Sequence, residues 1–255
     1  MPGAARPNRR SGDATGRGAG AEAVKAAIDA LGDPQRAISS AGFFKTGPGQ
    51  YGEGDRFVGV TVPAQRRVAR EFRGLDRDGI STLLDSDVHE HRLTGLFLLR
   101  SGFEKAQTSE DRQAWVAFYL QAVFDGRVNN WDLVDSSAEY ILGASLVGGD
   151  HAALLDLAAE EDLWRRRVAI IATAAFIKSG DAAPILDLAP RVLDDHRDLI
   201  QKAVGWMLRE MGKRVDRALL LDFLEAHAAQ MGRTALSYAT EHLEREQRAH
   251  YRGLR

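Results

Sequence analysis

From Glu22 onward the chain is an almost unbroken succession of segments with apolar residues at i, i+3, i+4 and i+7, rich in Ala, Leu, Arg and Glu. That period buries one stripe of a helix and suits no strand, so it confines the chain to all-α architectures. The pattern predicts helices over 21–31, 34–40, 63–73, 77–84, 88–103, 108–124, 131–146, 150–158, 162–179, 181–189, 197–212, 215–228 and 233–246. Pro34, Pro63 and Pro184 fall near first turns, where the missing N–H is tolerated. Strand-like alternation is confined to FVGVTV, 57–62. Connections are short, which favours antiparallel neighbours. Helix pairs recurring at roughly 30–45 residues point to a superhelix of divergent HEAT-like repeats. A compact helical bundle is the plainer alternative.

The opening residues 1–20 have no period and are rich in Gly, Ala, Arg and Pro, so they are expected to form a disordered basic tail. Arg6, Arg9, Arg10 and Arg17 stand against Asp13 alone, a balance of +3 that leaves about −5 on the rest of a chain whose net charge is −2. Residues 21–255 are then read as one domain. Its acidic balance excludes a generic nucleic-acid binder unless one face is locally basic. The chain has no cysteine, which excludes disulfides and thiolate metal sites. No apolar run approaches the roughly 18 residues of a membrane span, and no apolar core follows the start as in a secretory signal. A cytoplasmic protein is expected.

Two familiar signals lead nowhere. TGPGQYGEGD, 46–55, contains Gly47-x-Gly49-x-x-Gly52, the dinucleotide fingerprint. That motif works only between a strand and the start of a helix, where helix N–H groups meet a pyrophosphate. Here Pro48 interrupts it and FVGVTVP follows, so a loop between early helices is the reading. Its Lys45 and Tyr51 could still touch a ligand. His89 and His91 lie about 200° apart on a helix and cannot chelate from one face. They read as solvated or capping residues, and no metal or cofactor is expected.

The informative residues are aromatic. On DLIQKAVGWMLREMGKR, 198–214, the apolar stripe is Ile200, Val204, Met207, Leu208 and Met211. Trp206 lies about 200° from Val204, away from the stripe, with Lys202, Arg209 and Lys213 as same-face neighbours. Either a neighbouring element covers this ring, or it is an aromatic plate framed by phosphate-binding charges. In VNNWDLVDSSA, 128–138, Asn130 can cap a helix and Asp132 suits its first turn. Neither accounts for Asp135, one turn after Trp131 and on its side. A salt bridge would be the ordinary reading of Asp135, and a staple over the helix start that of Trp131. In LWRRRVAIIAT, 163–173, Trp164, Val168 and Ile171 look like core, Arg165 and Arg166 look solvated, and Arg167 suits either a phosphate or an ion pair.

Taken together, NNWDLVD, LWRRRVAI, LIQKAVGWMLRE, RTALSYATEHL (233–243) and VPAQRR (62–67) resemble the AlkD-like family of DNA alkylation repair glycosylases over about residues 22–245. The resemblance implies a HEAT-like superhelix that holds duplex DNA and excises cationic alkylpurines such as 3-methyladenine and 7-methylguanine without a cofactor. It makes Asp135 the catalytic carboxylate, Trp131 and Trp206 the aromatic pair near the lesion, and Arg167 the phosphate-side arginine. Lys202, Arg209, Lys213, Phe43, Lys45 and Tyr51 would contact DNA. Phe43 falls near a family tyrosine. A monomer is expected. No lysine stands out for a lyase reaction, Lys202 being a candidate only by default. The competing reading is a non-catalytic helical scaffold that binds DNA or protein.

Overall fold

The structure is a computed structural model that describes residues 14–254. Residues 1–13 of the expected tail lie outside that range. Ala14–Gly20, also expected in the tail, instead form the first turns of α1 (Ala14–Asp29). They extend the helix back from the buried stripe Ala21, Val24 and Ile28, although three of the seven residues are glycine, which disfavours a helix.

The described residues are helical, with no strand among them, and fall into two compact units that meet in sequence between Leu99 and Arg100. In the first unit α1 packs on α3 (Val62–Glu71) and α4 (Arg77–Leu84). Between α1 and α3 lie α2 (Pro34–Phe43), none of whose residues is buried, and the glycine loop. Asp33 caps α2 by accepting from the Gln35 and Arg36 N–H groups.

FVGVTV does not form a strand. Residues 57–61 have no regular secondary structure, and among the described residues the one bridge nearby is Arg56 to Val88. The N–H groups of Val58, Gly59 and Val60 donate to the buried carboxylate of Glu90 at 3.1, 2.8 and 3.2 Å. Side-chain oxygens thus satisfy the donors that a sheet would have used. Gly59 has a φ of +84°, and a Cβ there would sit 2.1 Å from the Asp33 carbonyl oxygen, so only glycine fits. The loop at 46–55 lies between α2 and α3 and opens no helix. Asp55 closes it, bonding His89 at 2.9 Å and Arg92. The His89 ring stacks on Phe57. His89 and His91 are therefore buried rather than solvated, and His91 bridges Ser86 and Asp29. The two rings bond different partners, which follows from their angle on α5 (His89–Lys105).

In the second unit α10 (Leu163–Lys178) is the central element, buried almost continuously from Arg167 to Ile177. Around it pack α6 (Ser109–Phe124), α7 (Trp131–Asp135), α9 (Ala152–Ala159), α11 (Ala183–Leu188) and α12 (Asp198–Arg214). Then α12 carries α13 (Arg217–His227) and α14 (Arg233–Ala239).

The helix expected over 131–146 is broken after Asp135. A π-turn at Glu139–Gly143 follows, and then the short α8 (Ala144–Leu146). Ser137 Oγ donates to the Leu133 carbonyl at 2.6 Å, competing with the backbone ladder. The Gly143 N–H reaches back five residues to Ala138 O at 2.9 Å. Gly143 packs so tightly on α10 that a Cβ would lie 2.3 Å from the Ala172 carbonyl oxygen. The helix expected over 233–246 likewise stops at Ala239, where Thr240 Oγ1 donates to the Leu236 carbonyl. A further helix, α15 (Arg245–Gly253), follows. Tyr251 is its single buried residue, so it gave no apolar stripe to read.

Candidate active site

The break after α7 makes Asp135 the last residue of a five-residue helix. Asn130, fully buried, caps its start by accepting from the Trp131 N–H at 2.9 Å. Asp132 stays in the first turn, its Oδ1 accepting from the Leu133 N–H. So capping and dipole account for Asn130 and Asp132 and leave Asp135 to another task.

That task begins with Arg167. Asp162 caps α10 by accepting from the Trp164 and Arg165 N–H groups, which sets Arg167 one turn in. Its Nε donates to Asp135 Oδ1 at 3.0 Å and its Nη2 to Oδ2 at 2.8 Å. Its Nη1 donates to the Leu199 carbonyl at 2.5 Å, in the first turn of α12. One guanidinium therefore ties three helices together. Only arginine has the planar fork for this. The side chain of Arg167 is 5% exposed, that of Asp135 18%. The ion-pair reading of Arg167 is the one on view: its fork grips Asp135.

The carboxylate is held but reachable. Burial pushes its pKa above the usual aspartate value, Arg167 pulls it down, and nearby Asp132 pushes it up again; the net direction is up. Behind it, Tyr119 is fully buried, and its hydroxyl meets Ser137 Oγ at 3.0 Å. Burial, with Asp135 adding to it, raises the Tyr119 phenol far above its ordinary range. Spacing gave no sign of the Tyr119–Ser137 bond or the Leu199 carbonyl: one joins residues 18 apart and the other is backbone.

Trp131 and Trp206 are both half-buried, while Ile200, Val204, Met207, Leu208 and Met211 are buried. Trp206 thus stands off the stripe of α12. Among its same-face neighbours Lys202 pairs with Asp198 at 2.7 Å, Arg209 pairs with Glu241, and Lys213 is exposed.

Three readings of the arginine segment change. Trp164 is half-buried rather than core. Arg165 is not merely solvated: it bonds Glu160 and the Phe124 carbonyl and lies 4.8 Å from the Phe124 ring. Arg166 bonds the Ala158 carbonyl and Asp195. Each finds an acceptor on a neighbouring element, which a helical wheel does not display. In the first unit Phe43 is 66% exposed, and Lys45 takes a φ of +53° with its Nζ 6.0 Å from the Tyr51 ring centre.

Among the described residues no group of His, Asp and Glu is arranged to hold a metal ion, and no helix is long and apolar enough to cross a membrane. What these residues offer is a carboxylate fixed in orientation, two half-covered indoles and cations along one face of α12.

Residues 24–243 match the family of DNA alkylation repair enzymes. No curated protein matches the chain. Among solved structures, a predicted DNA alkylation repair enzyme from Enterococcus faecalis is similar with a TM-score of 0.64, over 84% of this chain and 98% of that one. At 15% identity this is a likeness of fold.

Proposed function

The chain belongs to the DNA alkylation repair enzyme family, and from that premise we propose that it is a monofunctional DNA glycosylase. It hydrolyses the N-glycosidic bond of cationic alkylpurines, 3-methyladenine and 7-methylguanine, in duplex DNA. The observation that carries this reading is Asp135, a carboxylate locked in orientation by Arg167 yet left 18% exposed at the end of α7.

Alkylation at N3 or N7 makes the purine cationic and a good leaving group. As the C1′–N bond breaks, its electron pair leaves with the base, which departs neutral. The deoxyribose becomes oxocarbenium-like. Water adds at C1′ and loses its proton. Asp135 stabilises the growing positive charge on the sugar and orients that water. A preorganised charge in a partly dry site needs no reorganisation during the reaction. Trp131 and Trp206 attract the cationic base through their ring faces, each contributing about 0.5–2 kcal/mol. In this scheme Arg167 acts through Asp135, and Lys202, Arg209 and Lys213 face the backbone. Phe43, Lys45 and Tyr51 of the first unit are further DNA contacts. The protein works as a monomer in the cytoplasm, without a cofactor.

The test is release of 7-methylguanine from methylated duplex DNA, wild type beside Asp135→Asn. Wild type releases the base and the variant is at least about tenfold slower, with roughly a hundredfold the central expectation for one well-placed electrostatic group. Equal rates would remove the carboxylate from the mechanism. No release by a folded wild type would favour a non-catalytic DNA-binding scaffold.

A further inference from the structure

Past Trp206, α12 borders a second feature, an open cavity of about 420 Å³ lined also by α13, the end of α14 and the turn after it. Its floor is apolar, made by the buried Leu220, Ala239 and Leu243. Gly212 sets the helix spacing there, since a Cβ on it would lie 2.5 Å from the Leu220 side chain. Its walls are basic: Arg209, Lys213, Arg217 and His242.

Three permanent cations around one small cavity repel one another unless an anion joins them. The structure supplies a partial answer in two carboxylates. Glu241, itself 54% exposed, is ion-paired with Arg209. It is incomplete, because Arg209 Nε is buried with no acceptor among the described residues. Glu210 lies 3.7 Å from Arg209 and also acts on Lys213, but its hydrogen bond goes to Arg214 at 2.7 Å. Arg217 donates to Gln247, a neutral acceptor, at 2.7 Å, and Lys213 is exposed. Along α12, Lys213 lies roughly 10 Å beyond Trp206, the rise of about three base pairs along a duplex axis. A group bound there is not the lesion nucleotide.

We propose that this cavity is a phosphate site, that its occupant is a backbone phosphate of duplex DNA, and that Glu241 holds the place of that anion on Arg209 until DNA arrives. The identity of the occupant rests on the DNA-binding reading above; the anion chemistry does not. Arg217, His242 and Glu241 thereby join the interface.

The experiment measures binding of a short labelled, undamaged duplex by the full chain across a salt series, beside a calorimetric titration with inorganic phosphate. Arg217→Gln weakens duplex binding and makes the slope of log K against log salt shallower by about 0.9, the loss of one phosphate contact. Glu241→Gln acts in the opposite direction and tightens binding about two- to fivefold, the worth of an exposed ion pair. A gain of affinity cannot come from misfolding. Wild-type affinity and slope in both variants would overturn the proposal. If wild type binds no duplex, the phosphate titration decides. Phosphate binding weakened by Arg217→Gln and strengthened by Glu241→Gln assigns the cavity to free phosphate, and no phosphate binding overturns it. Duplex binding that responds to both variants without any base release would sink the glycosylase reading and leave this site standing.

Discussion

Two aspartates in the second unit, one buried and one partly covered, are each gripped by arginine, and their pKa values move in opposite directions. Asp195, 3% exposed in its side chain, accepts from Arg166 Nη1 at 2.6 Å, from Arg197 Nη2 at 2.6 Å, from Arg197 Nε and from the Arg197 backbone N–H. Burial alone would raise its pKa, but these donors hold it down at about 2. Asp135, 18% exposed, has one arginine and two bonds, and burial wins: its pKa moves up. The difference is a count of donors. A carboxylate whose lone pairs are all engaged is a clamp, here joining α10 to the turn before α12. A carboxylate left short of donors and partly open has charge to offer to something else.

The sharpest way to break that comparison is to neutralise both. Asp135→Asn reduces 7-methylguanine release about a hundredfold, roughly 3 kcal/mol of transition-state stabilisation, whereas Asp195→Asn acts on stability. If Asp195→Asn were the more damaging to excision per folded molecule, the assignment of roles would be reversed. Next in size is Arg167→Met. It leaves Asp135 without its partner and lowers stability by roughly 3–5 kcal/mol, as breaking a buried pair does, measurable by urea unfolding. It also removes the one strong influence pulling the Asp135 pKa down. The acid limb of the excision rate therefore moves to higher pH, a shift that lost stability alone would not produce. An unmoved limb would mean that Arg167 does not set the Asp135 charge.

The pH dependence of stability separates the two carboxylates more finely. Asp195 is depressed when folded, so its contribution is present above the ordinary aspartate pKa and is lost as pH falls from about 4 through about 2. Asp135 is raised when folded, so its contribution is full at low pH and lost as pH rises through its folded value. Asp195→Asn should flatten the acid slope of a thermal-melt series between pH 4 and pH 2. An unchanged slope would place the acid sensitivity elsewhere.

How much of this could be read beforehand depends on range. The all-α class was legible because the helical period is local, and so was the cap at Asn130. The turn of Trp206 away from its stripe was legible too, because a helical wheel is fixed by the backbone. FVGVTV misled because alternation signals a half-buried extended segment without saying what satisfies its N–H groups; Glu90, some 30 residues later, does so. Arg165 and Arg166 misled for the same reason, their acceptors lying on other elements. Arg167 was readable as either phosphate ligand or ion pair, and only its juxtaposition with Asp135, 32 residues away, reveals the ion pair. The break after Asp135 had no composition signal: Ser137 is ordinary in a helix until its hydroxyl bonds Leu133.

That break supplies the smallest expected effect. Ser137 Oγ donates to Leu133 and meets the Tyr119 hydroxyl, so the end of α7 that presents Asp135 is braced from α6. Tyr119→Phe removes the hydroxyl and leaves the ring in place. Ser137 keeps its bond to Leu133, so no buried donor is orphaned, and stability falls by about 1 kcal/mol. If Tyr119 only fills space, excision by the folded variant is unchanged at every pH. If it positions Asp135 through Ser137, kcat falls a few-fold with KM unaltered, because the loosened carboxylate is felt in the transition state and not in DNA binding. A raised KM at constant kcat would instead connect Tyr119 to DNA docking and detach it from the carboxylate. The brace acts on geometry alone, whereas Arg167 acts on geometry and charge together. Tyr119→Phe should therefore leave the acid limb where it is, and an upward shift like that of Arg167→Met would show that the hydroxyl also tunes the charge of Asp135.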